Sequence, residues 1–209
     1  MTEPEWLACT DPVLLLELLK GKTSKRKLRL FACGYGRCIW DYMIDERSRK
    51  AIEVAEQFAD GSVNEQELLK ARCDAEAAYA RANIEQDEAD LTATYLAELA
   101  SGLGEEVLSA ASSDAGTYFY DLPLDTQACL LRCIFNPFRP ISLDRAWLTP
   151  KVKTLAQAIY HDRVFERMPE LADVLAETGC TNHDILGHCR GPGAHVRGCW
   201  LVDLVLEKK

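Results

Sequence analysis

From Glu65 to about Ala100 the chain contains neither glycine nor proline and is rich in Ala, Glu, Gln and Leu. Those residues favour helix, and the two that break helices are missing. The stretch predicts one long helix or two in sequence, on the order of 50 Å if continuous at about 1.5 Å per residue. Ser62-Val63-Asn64-Glu65 reads as its capping box, a serine with a glutamate three residues on. The apolar positions Leu68, Leu69, Ala75, Ala78, Tyr79 and Ala82 make only a thin stripe. Such a helix either packs lightly on the body or seeks a partner.

Helix punctuation continues on both sides. Asp11-Pro12 predicts an N-cap and a first-turn proline for a helix closed by Gly21, and Ser24 caps a second helix through Leu28, Phe31 and Cys33. Gly34 and Gly36 weaken that helix by about 1 kcal/mol each, enough for a kink or break. Asp45 caps a third helix, stopped by Gly61. Further on, Asn136-Pro137-Phe138-Arg139-Pro140 predicts a rigid turn, because a residue before proline is pushed out of the helical region. Thr149-Pro150 and Pro169 open two more helices, and Thr181 or Asn182 caps a short one. Trp200–Leu206 is apolar enough for a final helix or a buried strand. No segment shows convincing period-two alternation. The expected class is all-α, an irregular multi-helix bundle with a long acidic central helix or helical hairpin.

The net charge of −9 is unevenly spread. Residues 51–125 carry 3 basic against 17 acidic residues, whereas residues 1–50 carry 10 against 7 and residues 126–209 carry 11 against 9. The segments read as 1–61, an N-terminal helical part of the core; 62–110, an acidic helical segment; 111–125, a linker; and 126–209, a C-terminal helical part with a Cys/His-rich end. The acidic start and the absence of a long apolar run predict no export signal and no membrane span. Nine cysteines, an odd number without an export signal, read as reduced thiols in a cytoplasmic protein.

The densest candidate site is the stretch from Cys180 to Trp200, which holds three of the four histidines and three of the nine cysteines. Thiolate and imidazole are zinc ligands, and a closed tetrahedral site needs four. The candidates are Cys180, His183, His188, His195 and Cys199. If the last segment is helical, His195 and Cys199 share a face, as do Cys180 and His183 at a spacing of three. His188 and Cys189 are adjacent and diverge by about 100° on a helix, so one ion would hardly take both. The chain contains no Cys-x-x-Cys, the most diagnostic structural zinc spacing. Other readings stay open. His188-Cys189-Arg190-Gly191 resembles the phosphate loop of cysteine phosphatases, but the spacing from Cys189 to Arg197 is wrong and Pro192 removes an amide. Arg190 and Arg197 beside a glycine-rich turn are candidate anion ligands. In the plainest reading, Gly191-Pro192-Gly193 is a tight turn, the histidines meet backbone carbonyls and the cysteines pack under Trp200.

Six of the ten residues from Lys20 to Arg29 are cationic. Lys22, Lys25, Arg26, Lys27 and Arg29 are candidate contacts for nucleic acid or an acidic partner, although no aromatic residues interleave them. Cys129 and Cys133 share a helix face and either join a metal site or fill a core as small hydrophobes.

Trp6-Leu7-x-Cys9-x-Asp11-Pro12, Lys27-Leu28-Arg29-Leu30-Phe31, Asn136-Pro137-Phe138-Arg139-Pro140 and the ending from His188 to Trp200 resemble an uncharacterised bacterial family that occurs as many paralogues in large genomes. The likeness covers residues 1–60 and 126–209. It implies that both ends form one unit and carries no catalytic role.

The function expected from these features is a cytosolic helical interaction or regulatory protein without an evident catalytic site, its acidic helix facing a protein partner. The alternatives are a zinc-binding protein, structural or catalytic, built on the C-terminal cluster, and a nucleic-acid or anionic-partner binder through residues 20–29.

Overall fold

The computed structural model describes residues 1–85, 97, 100, 122–138 and 142–208. Among the described residues there are ten α-helices and no strand, so the all-α class holds. The chain forms two compact units, Met1–Leu131 and Arg132–Lys209.

In the first unit, α1 (Glu3–Ala8), α2 (Pro12–Leu19), α3 (Lys25–Cys38), α4 (Glu46–Ala59) and α5 (Glu65–Glu85) follow one another through short connections. Asp11, Ser24 and Asp45 cap their helices through side-chain oxygens that accept first-turn amides, as the sequence predicts. Helix α3 runs unbroken through Gly34 and Gly36. The second glycine has a packing reason: a Cβ there would lie 2.9 Å from Ile52 Cδ1 and 3.1 Å from Met43 Cε. Leu15, Leu16, Leu30, Phe31, Tyr35, Met43 and Ile52 are fully buried, each contributing roughly 2 kcal/mol of burial.

The expected capping box moves by two residues. Asn64 Oδ1 accepts from the amides of Gln66 and Glu67, and Glu67 accepts from the Asn64 amide. Ser62 is already committed to closing α4. Gly61, at φ +70°, and Ser62 donate to Phe58 and Gln57 carbonyls in the bonding pattern of a left-handed helix stop. Helix α5 packs along α4 and buries Leu68, Ala71, Ala75, Ala78 and Ala82, a stripe with a repeat of about seven. Leu69, expected on that stripe, is 61% exposed on the outside. Ala97 and Ala100 are buried and helical. The rest of the acidic 62–110 segment beyond residue 85, most of the 111–125 linker, and Arg139 and Pro140 of the expected turn lie outside the described residues.

The boundary between the units falls inside α6 (Leu124–Ile134). The second unit continues with α7 (Pro150–Asp162), α8 (Met168–Glu177), α9 (His183–Arg190) and α10 (Trp200–Val205). Thr149 and Asn182 supply the expected caps of α7 and α9. The last apolar segment is the helix α10 and not a strand. Helix α8 packs on α7 and α9, and α10 packs on α7. Ile159, Tyr160, Met168, Leu171, Leu175, Ile185, Leu201 and Val205 are fully buried in this unit.

Candidate metal centre

Four ligand atoms converge in the second unit. The sulfurs of Cys133 and Cys199 and one ring nitrogen each of His188 and His195 all lie within 4.8 Å of one another. Cys133 comes from the end of α6, His188 from the last turn of α9, and Cys199 from the N-cap of α10. His195 sits in the loop before α10.

His195 and Cys199 meet through a turn, not along a helix as the spacing suggested. The Cys199 amide donates to the Val196 carbonyl at 3.0 Å, and Gly198 takes φ +88° at the third position. That is the glycine requirement of a type II turn. The segment His195-Val196-Arg197-Gly198-Cys199 is therefore a knuckle that turns both donors to one side.

The contacts are specific. His188 Nε2 lies 3.2 Å from Cys199 Sγ, and His195 Nδ1 lies 3.6 Å from Cys133 Sγ and 4.0 Å from Cys199 Sγ. Tetrahedral zinc, with bonds of about 2.3 Å to sulfur and about 2.0–2.1 Å to nitrogen, needs donor–donor edges of about 3.3–3.8 Å. The group is already close to that size. The two imidazole rings stand edge to face, 4.8 Å apart and 82° to one another, and the His188 ring rests 4.7 Å from the indole of Trp200. Cys133 and Cys199 are 3% and 0% exposed. His195 Nε2 is buried with no hydrogen-bond partner among the described residues.

Burial pushes the Cys199 thiol up, yet it titrates well below the ordinary thiol range. The hydrogen bond from Cys133, the charge of His188 and the hydrogen bonds from both histidines together outweigh the burial. Lowered thiol titration beside imidazole is what a metal-ligating thiolate requires. Cys189, one residue from His188, behaves oppositely. Burial, reinforced by the charge of Cys199, pushes its thiol far up. A thiol shifted in that direction does not favour the thiolate which the phosphatase-like reading of this loop needs.

Of the five metal candidates in the sequence, the structure brings together His188, His195 and Cys199. Cys180 and His183 are not in the group. The Cys180 amide closes α8 by donating to the Leu175 carbonyl, after Gly179 at φ +93°, and its side chain is buried at the helix stop. His183 is exposed at the start of α9. The fourth donor is Cys133, whose sequence signal was ambiguous between ligand and core.

The other candidates have partners. Arg190 Nη2 donates to Asp173 at 2.7 Å, and Arg197 donates to the carbonyls of Tyr160 and His161. In the basic segment, Arg26 holds the end of α4 through the Ala59 carbonyl and Asp60, and Arg29 is buried over the Phe58 ring. Lys22 and Lys25 are exposed and Lys27 half-buried.

The chain matches no family model, no curated protein and no solved structure. No helix among the described residues is long and apolar enough to cross a membrane.

Proposed function

We propose that this chain is a zinc-stabilised helical interaction protein, in which Cys133, His188, His195 and Cys199 hold a structural zinc ion. The observation that carries the reading is the convergence of two sulfurs and two imidazole nitrogens within 4.8 Å. Sulfur with imidazole suits zinc better than magnesium or calcium, which prefer oxygen. Four protein donors complete a tetrahedral shell and leave no position for water or substrate, which favours a structural role over catalysis. The metal would tie α6 to the loop and helices of the C-terminal end, a cross-link that a small unit uses to supplement its core. Partner binding in the cytoplasm, with α5 and its exposed Leu69 and Ile84 as the contact face, is the role that a non-catalytic fold of this kind would serve.

Metal analysis of protein purified without an affinity tag tests the reading. The expected result is close to one zinc per chain, lost in the Cys133→Ala/Cys199→Ala variant. Metal-free protein that neither takes up zinc nor gains thermal stability from it overturns the proposal.

A further inference from the structure

The knuckle that presents His195 and Cys199 sits in a loop containing Gly191, Gly193 and Gly198, a composition that leaves many conformations open to it. A metal ion binding such a loop would have to order it, at a cost in backbone entropy for every residue fixed. The structure contains a device that holds the loop already. Arg197 occupies the middle of the knuckle, the second position of its Val196–Cys199 turn, between the two ligands. Its Nε donates to the Tyr160 carbonyl at 3.2 Å and its Nη2 to the His161 carbonyl at 3.4 Å. Its guanidinium carbon also lies 5.1 Å from the centroid of the Tyr160 ring.

Those two carbonyls belong to the last turn of α7, which ends at Arg163 in the left-handed conformation. Terminal carbonyls lack partners within their own helix and form its negative end. A planar guanidinium satisfies both at once and cannot be deprotonated. Tyr160 itself is fully buried, so the platform is fixed by the core. Lys208 Nζ, 4.3 Å from the centroid of the same ring, adds a second cation to it.

We infer that Arg197 is a positioning residue for the metal centre, holding the His195–Cys199 knuckle in chelating geometry by clamping it to the end of α7. The inference rests on the zinc reading and extends it. Arg197 is not itself one of the four ligands; it acts through the backbone that links His195 and Cys199. Removing a group that orients metal ligands typically weakens metal binding by 10–100-fold.

The test is titration of the full chain with Co²⁺, followed by displacement with Zn²⁺. Four proteins are compared: the parent, Arg197→Met, Arg197→Lys, and Arg190→Met as a control outside the knuckle. Arg197→Met keeps an aliphatic stem over Tyr160 and loses both donors. Arg197→Lys keeps the charge and one reaching donor. The expected order of dissociation constants is parent, then Arg197→Lys, then Arg197→Met, with at least a tenfold rise at the last and a change under twofold for Arg190→Met. At saturating Co²⁺ the sulfur-to-cobalt charge-transfer band should also weaken in Arg197→Met, because Cys199 is held less firmly. A role confined to fold stability would lower the melting temperature and leave that band unchanged. Parent-like affinity and band intensity in Arg197→Met overturn the inference while the zinc reading stands. A parent that takes up no Co²⁺ overturns both. If Arg197→Met fails to fold, Arg197→Lys decides: affinity within twofold of the parent counts against the clamp, and a loss restricted to it and absent from Arg190→Met supports it.

Discussion

His188 Nε2 lies 3.2 Å from Cys199 Sγ, although eleven positions separate the two residues in the chain. The last turn of α9 and the N-cap of α10 are thus joined by their donors. Cys133→Ala, His188→Ala, His195→Ala and Cys199→Ala should each weaken zinc binding by two orders of magnitude or more, an effect of about 3 kcal/mol. Cys180→Ala and His183→Ala should leave it within twofold. Competition against a chromophoric chelator measures the series, and equal losses at Cys180 and Cys133 would contradict the assignment.

Gly198 stands at φ +88° in the ligand knuckle. A side chain there is strained, at about 1–3 kcal/mol for a non-glycine residue in such a region. Gly198→Ala should lower unfolding stability by that amount in urea titration and weaken zinc binding about tenfold. Gly187→Ala is the control. It lies in α9 with nothing within 4 Å of an added Cβ, and it should be neutral or slightly stabilising.

Asp45 makes stability depend on acid. Its carboxylate accepts from the Arg47 amide and guanidinium, and Arg81 of α5 approaches it at 3.3 Å. The side-chain bonds to Arg47 lead in lowering its titration from 3.8 to about 2; partial burial opposes them, and the Arg47 amide and the charges of Arg47 and Arg81 add to them. The folded state therefore binds the proton less readily than the unfolded state. The stabilisation is fully present above pH about 4 and disappears as pH falls through about 2. In Asp45→Asn, which keeps the capping oxygen, this part of the acid dependence should vanish, with a loss of about 1 kcal/mol at neutral pH from the missing ion pairs. Denaturant midpoints measured between pH 2 and 7 give the comparison.

Arg37 and Glu56 form a two-pronged ion pair between α3 and α4, at 3.0 and 2.8 Å. Glu56 is 2% exposed, and Arg37 also lies 3.9 Å over the Trp40 ring. Removing one partner of a buried pair leaves the other charge stranded, whereas replacing both by apolar groups is often tolerated. Glu56→Leu should cost about 3 kcal/mol, and Arg37→Met/Glu56→Leu should cost less than that single change. Thermal melts of both variants decide it. A double variant worse than Glu56→Leu would mean that the pair itself is the stabilising element.

Local chemistry was readable from the sequence wherever one residue acts on its neighbours. Asp11, Ser24, Asp45, Thr149 and Asn182 cap helices because a short polar side chain meets its own first-turn amides, whatever surrounds it. Three of the four residues of the candidate metal group were legible for a related reason: His188, His195 and Cys199 lie in one short stretch whose composition stands out. Three features depended on packing. Ser62 is a good cap by its own chemistry, but the stop of α4 claims it and passes the role to Asn64. Cys180 has the right thiol and the right neighbourhood, but the stop of α8 buries it elsewhere. Cys133 has an unremarkable local sequence and becomes the fourth member of the candidate group only because folding places the end of α6 against the knuckle. A cysteine has the same intrinsic chemistry as a core hydrophobe or as a ligand. Its role is set by which donors stand within about 4 Å of its sulfur, and across a separation of 62 residues only the tertiary structure decides that.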